Sequence, residues 1–195
     1  MPKFIALLFS LLLPAMAFSQ MRDTANSEQR KPRKAAVMAE LGVNSLASLF
    51  GVAGSYYFKP NMAVDAGFGL SVNGLRPGLR YRYLFSSSDF SPFVGAGLKY
   101  GLGSRNREIK AEDKNNNNAV YYFKSKPSGF LDLCTGMDFQ ADNGFFLLGT
   151  LGWSQRLSGS GWELTQGTVT DKTRKGLNFI YASGVMLSIA AGWAF

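Results

Sequence analysis

The sequence predicts an all-β protein, an eight-stranded antiparallel up-and-down transmembrane β-barrel. Three observations predict this fold: large apolar residues alternate with small or polar ones, the alternation recurs in an even number of segments, and both long polar connections fall on one side of the predicted barrel. Alternation with a period of two is typical of strands, whose successive side chains point to opposite faces. The larger apolar face is expected to meet lipid, and the compact or charged face an enclosed lumen.

The chain begins with a basic residue, an apolar block and a small-residue motif. Lys3 precedes the apolar block, which is followed by Ala15-Met16-Ala17. This order is typical of a secretory signal peptide, whose apolar part is too short to span a membrane. We therefore expect residues 1–19 to direct export, with cleavage after Ala17 or after Ser19.

Residues 20–35 form a basic segment before the first predicted strand. The stretch Arg30-Lys31-Pro32-Arg33-Lys34 is polar and interrupted by proline, and it contributes to a formal charge of +8 for the whole chain. Two interpretations are open: a solvated periplasmic leader, or a tether that contacts anionic lipid headgroups. Export separates the chain from nucleic acid, so no nucleic-acid partner is expected.

Between residues 36 and 195 the alternation recurs in eight segments, which we predict to be the barrel strands. Lys59-Pro60-Asn61 and Asn73-Gly74 are turn signals, because proline and glycine suit tight turns better than strand centres. We place Arg76-Pro77 before the fourth strand. The outward, apolar faces run over Val37–Val43, Phe50–Phe58, Met62–Val72, Leu79–Phe85, Val94–Leu102, Leu131–Phe139, Phe145–Trp153 and Phe179–Phe195.

The last strand is assigned to residues 179–195, where the two faces differ most in size. One face is apolar apart from Ser183, and from Ala182 to Ala194 the other holds small residues and Met186. The alternative is a transmembrane helix, since the run is nearly long enough to span a bilayer. A helix has no reason to separate large from small residues by parity, and Gly184 and Gly192 would weaken it. We therefore predict a strand.

Two polar connections, Arg105–Lys126 and Ser158–Gly176, are predicted to be long exposed loops. If the first strand rises from the periplasm, both loops lie outside the cell and the tight turns lie on the periplasmic side. Outward aromatic residues then form two girdles, as in membrane barrels. The periplasmic girdle contains Tyr56, Phe58, Tyr83, Phe85, Phe139, Phe145, Trp193 and Phe195, and the outer girdle contains Phe50, Tyr100, Trp153, Phe179 and Tyr181.

These strands, together with the terminal Gly192-Trp193-Ala194-Phe195, resemble the small outer-membrane barrels of Gram-negative bacteria, the OmpA-type and OmpX-type group. In that group the terminal motif is a recognition signal for the barrel assembly machinery, which assigns Trp193 and Phe195 to it here. The resemblance implies an integral outer-membrane protein whose partners are membrane lipid, lipopolysaccharide and, during biogenesis, that machinery. No peptidoglycan-binding domain follows the barrel, so cell-wall anchoring is not expected.

The predicted inward face carries charges of both signs. Their near balance predicts a plugged, salt-bridged lumen, because eight strands leave an interior only wide enough for side chains. The alternative is a narrow pore for ions or small solutes, which needs a continuous water path. Cys134, the only cysteine, also points inward and is expected to be a buried, inert thiol. The predicted network contains Glu40, Asp65, Arg80, Arg82, Lys99, Asp132 and Asp138.

Catalysis, cofactors and metal sites are not expected. Outer-membrane barrel enzymes resemble one another in using histidine as the catalytic base, and this chain has no histidine. It also has no cluster of cysteines that could bind a metal. A soluble, lipocalin-like ligand-binding barrel is a further alternative, but it would need an apolar interior and a polar outside.

The sequence therefore predicts a non-catalytic integral outer-membrane protein that serves envelope structure, surface interaction or adhesion. The first long loop carries six basic and three acidic residues. We expect it to contact lipopolysaccharide phosphates or a surface ligand, the alternative being a solvated loop without a partner. The candidate contacts are Arg105, Arg107, Lys110, Lys124 and Lys126.

Overall fold

The structure, a computed structural model, describes residues 33–71, 74–113, 116–158, 162–166 and 183–195, with the backbone alone for 104–123 and 162–166. Within these ranges the chain forms strands and turns. No helix in the described part has the length and apolar character needed to cross a membrane. The strands are β1 (Ala35–Ser45), β2 (Ser48–Lys59), β3 (Met62–Ser71), β4 (Gly74–Leu84), β5 (Phe90–Gly101), β6 (Ser104–Asp113), β7 (Asn116–Ser125), β8 (Ser128–Gln140), β9 (Phe145–Arg156), β10 (Trp162–Gln166) and β11 (Gly184–Ala194).

Eight of these strands close into a barrel in the order β1-β11-β9-β8-β5-β4-β3-β2. Every neighbouring pair in this order is antiparallel. The predicted eight-stranded antiparallel barrel is therefore confirmed. Gly184–Ala194 is a strand, so the helical alternative is wrong for that part of the C-terminal stretch, while positions 179–182 lie outside the described residues.

The barrel is apolar outside and polar inside. Leu70, Leu133 and Ile189 point outward and are 62%, 58% and 55% exposed. Asp65 and Arg80 point inward and are 0% and 2% exposed. Because a soluble ligand-binding barrel needs the opposite polarity, this arrangement argues against the lipocalin-like alternative.

Both polar connections contain strands, so their prediction as loops was wrong. β6 and β7 form a hairpin, and β10 pairs with β7 to complete a three-stranded sheet in the order β10-β7-β6. β6 is largely polar on both faces, and the apolar residues of β7, Ala119 to Phe123, are consecutive rather than alternating, which leaves no apolar parity to reveal a strand. Their backbone hydrogen bonds form without that pattern.

The fourth strand begins earlier than predicted. β4 starts at Gly74, and Arg76 and Pro77 lie inside it, opposite Gly69 and Phe68 of β3. The ladder between β4 and β5 begins only at Gly78. Beyond Pro77, Leu102 N–H donates to the Leu75 carbonyl at 3.0 Å. Pro77, which has no N–H to donate, thus interrupts the pairing with β5 near the upper end of β4.

Chain segments that are far apart in sequence meet at one end of the barrel, here called the lower end, which also holds the β2–β3, β4–β5 and β8–β9 turns. The backbone N–H groups of Lys34 and Ala35 donate to the Phe195 carbonyl, each at 3.1 Å, and Phe195 N–H donates to the Ala35 carbonyl at 2.8 Å. The Arg33 guanidinium donates to the carbonyls of Ala141, at 2.6 Å, and of Asp142 in the β8–β9 turn. The opposite end, which carries β6, β7 and β10, is the upper end.

Candidate functional site in the barrel lumen

Arg82 occupies the centre of the lower lumen, and its guanidinium is hydrogen-bonded on every side. Its Nε donates to Asp65 at 2.8 Å, and its Nη1 donates to Asp138 at 2.6 Å. Its Nη2 donates to Asp65 at 2.9 Å, Ser55 at 3.1 Å and Tyr57 at 3.3 Å. The fixed planar fork of an arginine suits such a many-partner site. This cluster therefore holds four strands, β2, β3, β4 and β8, through one side chain.

Apolar side chains complete the seal below Arg82. Arg82 packs over the rings of Tyr57, at 5.6 Å, and Phe93, at 5.3 Å. Leu84 and Phe146 are buried beside them near the lower end. The lower lumen is consequently filled by the Arg82 cation, its carboxylate partners and the apolar side chains of Leu84, Phe93 and Phe146, here called the apolar floor.

Arg80 crosses the middle of the lumen. Its Nε donates to Asp65 at 2.7 Å, on the neighbouring strand. Its Nη1 lies 3.4 Å from Thr150 and 3.8 Å from Glu40, on strands across the barrel. Glu40 in turn accepts a hydrogen bond from Ser188 at 2.7 Å. Five strands, β1, β3, β4, β9 and β11, are connected through this layer.

Lys99 and Asp132 form a second charged group nearer the upper end. Their ion pair measures 2.8 Å, and Lys99 also donates to the carbonyl of Asn44. The nearby Arg76, which the sequence analysis did not include, is buried with its guanidinium 4.4 Å from the Phe130 ring centroid. Adding Arg76 to the seven predicted residues gives four buried cations and four buried carboxylates.

The β1–β2 connection, here called the upper turn, folds into the mouth of the barrel. Leu46 and Ala47 are only 1% and 0% exposed, although turns normally run over the surface. The residues on either side, Asn44 and Ser48, have φ angles of 51° and 66°. Ser45 Oγ donates to the Ser48 carbonyl at 2.9 Å. From the sequence alone, Ser45–Ser48 is predicted to be a short polar link between the first two strands, and its burial is not expected.

Glycines on three adjacent strands make room for the upper turn. A Cβ at Gly69 would overlap the Ala47 carbonyl oxygen, and one at Gly51 would lie 2.8 Å from the Ala47 Cβ. A Cβ at Gly78 would lie 2.8 Å from Leu46 Cδ1. These three glycines are here called the glycine seat: the turn itself lies closest to Gly69, it approaches Gly78 as closely as Lys99 does, and at Gly51 the backbone of β3, at the Phe68 carbonyl oxygen, is closer still.

Several buried polar atoms have no hydrogen-bond partner among the described protein atoms. Buried groups of this kind are usually satisfied by ordered water in native proteins. The lumen therefore contains polar positions for water between the Arg80 layer and the upper turn. The atoms concerned include Glu40 Oε2, Arg80 Nη2, Asp132 Oδ1 and Ser154 Oγ.

The predicted surface contacts are only partly described. Arg105, Arg107 and Lys110 lie on β6, but their side chains are outside the described residues. Lys124 on β7 is exposed, and Lys126, which follows β7, is half-buried.

The predicted girdle residues lie on the outer wall where the structure describes them. Trp193 and Phe195, the predicted assembly signal, are exposed at the lower end, and Phe50 and Tyr100 are exposed in the upper half. Phe179 and Tyr181 fall outside the described residues. Cys134 is a buried free thiol, with its sulfur 3.0 Å from where a Cβ on Gly95 would stand.

The chain is similar to three solved structures. The N-terminal β-barrel domain of Pseudomonas aeruginosa OprF is 16% identical with a TM-score of 0.49, over 84% of this chain and 98% of that one. E. coli outer membrane protein W is 14% identical with a TM-score of 0.40, over 85% and 100% of the two chains. Acinetobacter baumannii CarO is 11% identical with a TM-score of 0.33, over 86% and 100%. No protein-family model and no curated protein matches the chain.

Proposed function

We propose that the chain is a non-catalytic integral protein of the bacterial outer membrane whose lumen is plugged by ion pairs, and which serves envelope structure, surface interaction or adhesion. The observation that carries this proposal is the polarity of the wall: Leu70, Leu133 and Ile189 are exposed, while Asp65 and Arg80 are buried. Exposed apolar residues around a closed barrel suit hydrocarbon, which tolerates no unpaired strand edge. Residues 1–19 supply the export signal in this proposal.

The contacts of the lumen support a plugged scaffold over a pore. Arg82 and Arg80 each bridge to strands on other parts of the wall, and the apolar floor lies below them. A hydrated ion would have to separate buried ion pairs in order to pass, which is costly in a low-dielectric interior. The narrow-pore alternative needs a water path past Arg82.

Planar-bilayer recording tests the plugged lumen. Because Arg82 and the apolar floor close the lower half, the purified and refolded barrel should show no discrete conductance steps in concentrated KCl. A heat-modifiable gel shift before reconstitution confirms that the barrel is folded. Reproducible single-channel steps from the folded protein, absent from empty bilayers, would establish the pore alternative instead.

We further propose that the β6–β7 hairpin contacts lipopolysaccharide phosphates. Changing Arg105, Arg107, Lys110, Lys124 and Lys126 together to serine should weaken binding to lipopolysaccharide by about tenfold at low salt, if each contact contributes about 0.3 kcal/mol. The difference should shrink as salt rises, because screening weakens exposed charge pairs.

Lipopolysaccharide vesicles and phosphatidylcholine vesicles provide the measurement, by co-sedimentation across a salt series. A matched control changes Lys110, Lys124 and Lys126 to arginine, which keeps the charge and should keep the binding. Equal binding by the serine variant and the parent would leave the hairpin as a solvated extension without this partner.

A further inference from the structure

The upper turn has the parts of a movable plug rather than of an ordinary hairpin connection. Its tip, Leu46 and Ala47, is buried inside the mouth. Its two flanks, Asn44 and Ser48, hold left-handed backbone conformations with φ of 51° and 66°, which non-glycine residues rarely adopt. Rotation at these two positions would move the tip without breaking the barrel ladders, since β1 and β2 pair continuously only up to Leu41 and Phe50.

One side chain fastens the turn to the barrel wall. Lys99 of β5 donates to the Asn44 carbonyl and is itself paired with Asp132 of β8 at 2.8 Å. A second, weaker contact joins Asn44 Nδ2 to the Val185 carbonyl at 3.3 Å. A hydrogen bond from a charged group contributes about 1.5–3 kcal/mol. Lys99 is thus the principal latch among the described contacts.

The side chains under the turn are polar, and several of their atoms have no hydrogen-bond partner in the described part of the chain. Asp132 and Ser154 face each other on β8 and β9, and Asp132 Oδ1 and Ser154 Oγ are two of these atoms. Arg80 lies in the same cross-strand row, separated from Asp132 by Gly97, and its Nη2 is a third. Buried polar atoms of this kind are usually satisfied by ordered water, so small polar molecules are the ligands that these groups would take.

We propose that the upper turn is a hinged plug, latched by Lys99, that moves outward and gives small polar solutes access from the upper end to the polar groups of Asp132, Ser154 and Arg80. The inference rests on the proposed outer-membrane orientation of the barrel and leaves the lower closure at Arg82 intact. The plug therefore controls access to the upper lumen alone, and its movement produces no conductance.

Thiol accessibility tests the plug in the whole protein reconstituted in vesicles. Two reporters are used, each in a Cys134→Ala background: Leu46→Cys at the tip of the turn, and Ser154→Cys, which faces Asp132 beneath it. The probe is a small, membrane-impermeant methanethiosulfonate reagent. Lys99→Met should raise the labelling rate of both reporters by about tenfold, the effect of losing about 1.4 kcal/mol from the latch. Lys124→Met, which removes an exposed cation away from the turn, should change neither rate.

A second pair of variants acts on the glycine seat. Gly69→Ala should expose both reporters even with Lys99 present, because its Cβ would overlap the Ala47 carbonyl. Gly149→Ala is the matched control, since a Cβ there meets nothing within 4 Å, and it should label like the parent.

The outcomes separate the plug from a fixed structural turn. Unchanged rates in the folded Lys99→Met and Gly69→Ala proteins overturn the proposal, as does fast labelling of Leu46→Cys while Ser154→Cys stays protected. A heat-modifiable shift in gel mobility identifies the variants that fold. If only one of the two variants folds, its labelling rates alone decide between a movable plug and a fixed turn. Conductance, by contrast, tests the lower seal, so the two proposals fail on different measurements.

Discussion

Replacing Asp65 with alanine should lower the free energy of unfolding by about 3–5 kcal/mol, the range found when one partner of a buried ion pair is removed. Asp65 accepts from Arg80 at 2.7 Å and from Arg82 at 2.8 and 2.9 Å. Its loss leaves two buried guanidinium groups short of their carboxylate. The measurement is equilibrium urea unfolding in phospholipid vesicles, followed by tryptophan fluorescence.

Asp142→Ala is the control for this experiment. Asp142 is exposed in the β8–β9 turn, and only its backbone carbonyl is bound by Arg33. Its substitution should change stability by less than about 0.5 kcal/mol, as expected for a surface position. A similarly small loss for Asp65→Ala would show that water replaces the missing carboxylate, and the lumen would then not be the tightly packed scaffold proposed above.

Replacing Leu133 with arginine should lower stability by about 2–4 kcal/mol in lipid, because a cation would face hydrocarbon near the bilayer midplane. Leu133 lies near the middle of β8 and is exposed on the outer wall. The same unfolding measurement in vesicles reports the loss.

Leu157→Arg provides the depth control. Leu157 follows the upper end of β9 and is equally exposed, so an arginine there reaches the interface and should cost about 0–1 kcal/mol. Equal costs at the two positions would mean that the outer wall does not face a membrane gradient, which would remove the basis of the membrane assignment.

The alternation of large apolar with small or charged side chains was sufficient to predict the barrel. It arises because the two faces of each strand meet different surroundings. Large residues such as Leu70 and Ile189 alternate with small or charged ones along every barrel strand, and a shift by one residue would exchange the two faces. For the same reason, Asp65, Arg80 and Arg82 could be assigned to the lumen before any contact was known. Their mutual hydrogen bonds depend on register and could not be derived from parity.

Three features escaped prediction because no local pattern marks them. Arg76 was missed because the adjacent Pro77 suggested a turn, whereas Pro77 only interrupts the pairing with β5 inside the strand. The upper turn reads as a plain link, since its burial depends on glycines far away in sequence, such as Gly69 and Gly78. The β6–β7 hairpin lies beyond the apolar part of the outer wall, where contact with hydrocarbon does not select large apolar residues for one face of a strand.

The seam between β1 and β11 has a consequence for how the molecule is made. The two strands pair from Ala36 opposite Ala194 to Val43 opposite Leu187. This pairing therefore joins the two ends of the described chain. Every other strand pairing of the barrel joins strands that follow one another among the eight barrel strands, but this one closes the longest loop and therefore costs the most loop-closure entropy. Until this pairing forms, β1 and β11 are the unpaired edges of an open sheet, and unpaired edge strands can pair with another copy of the chain. Closure is therefore expected to be the slowest step in its folding, and the moment at which a catalyst of insertion has most to contribute.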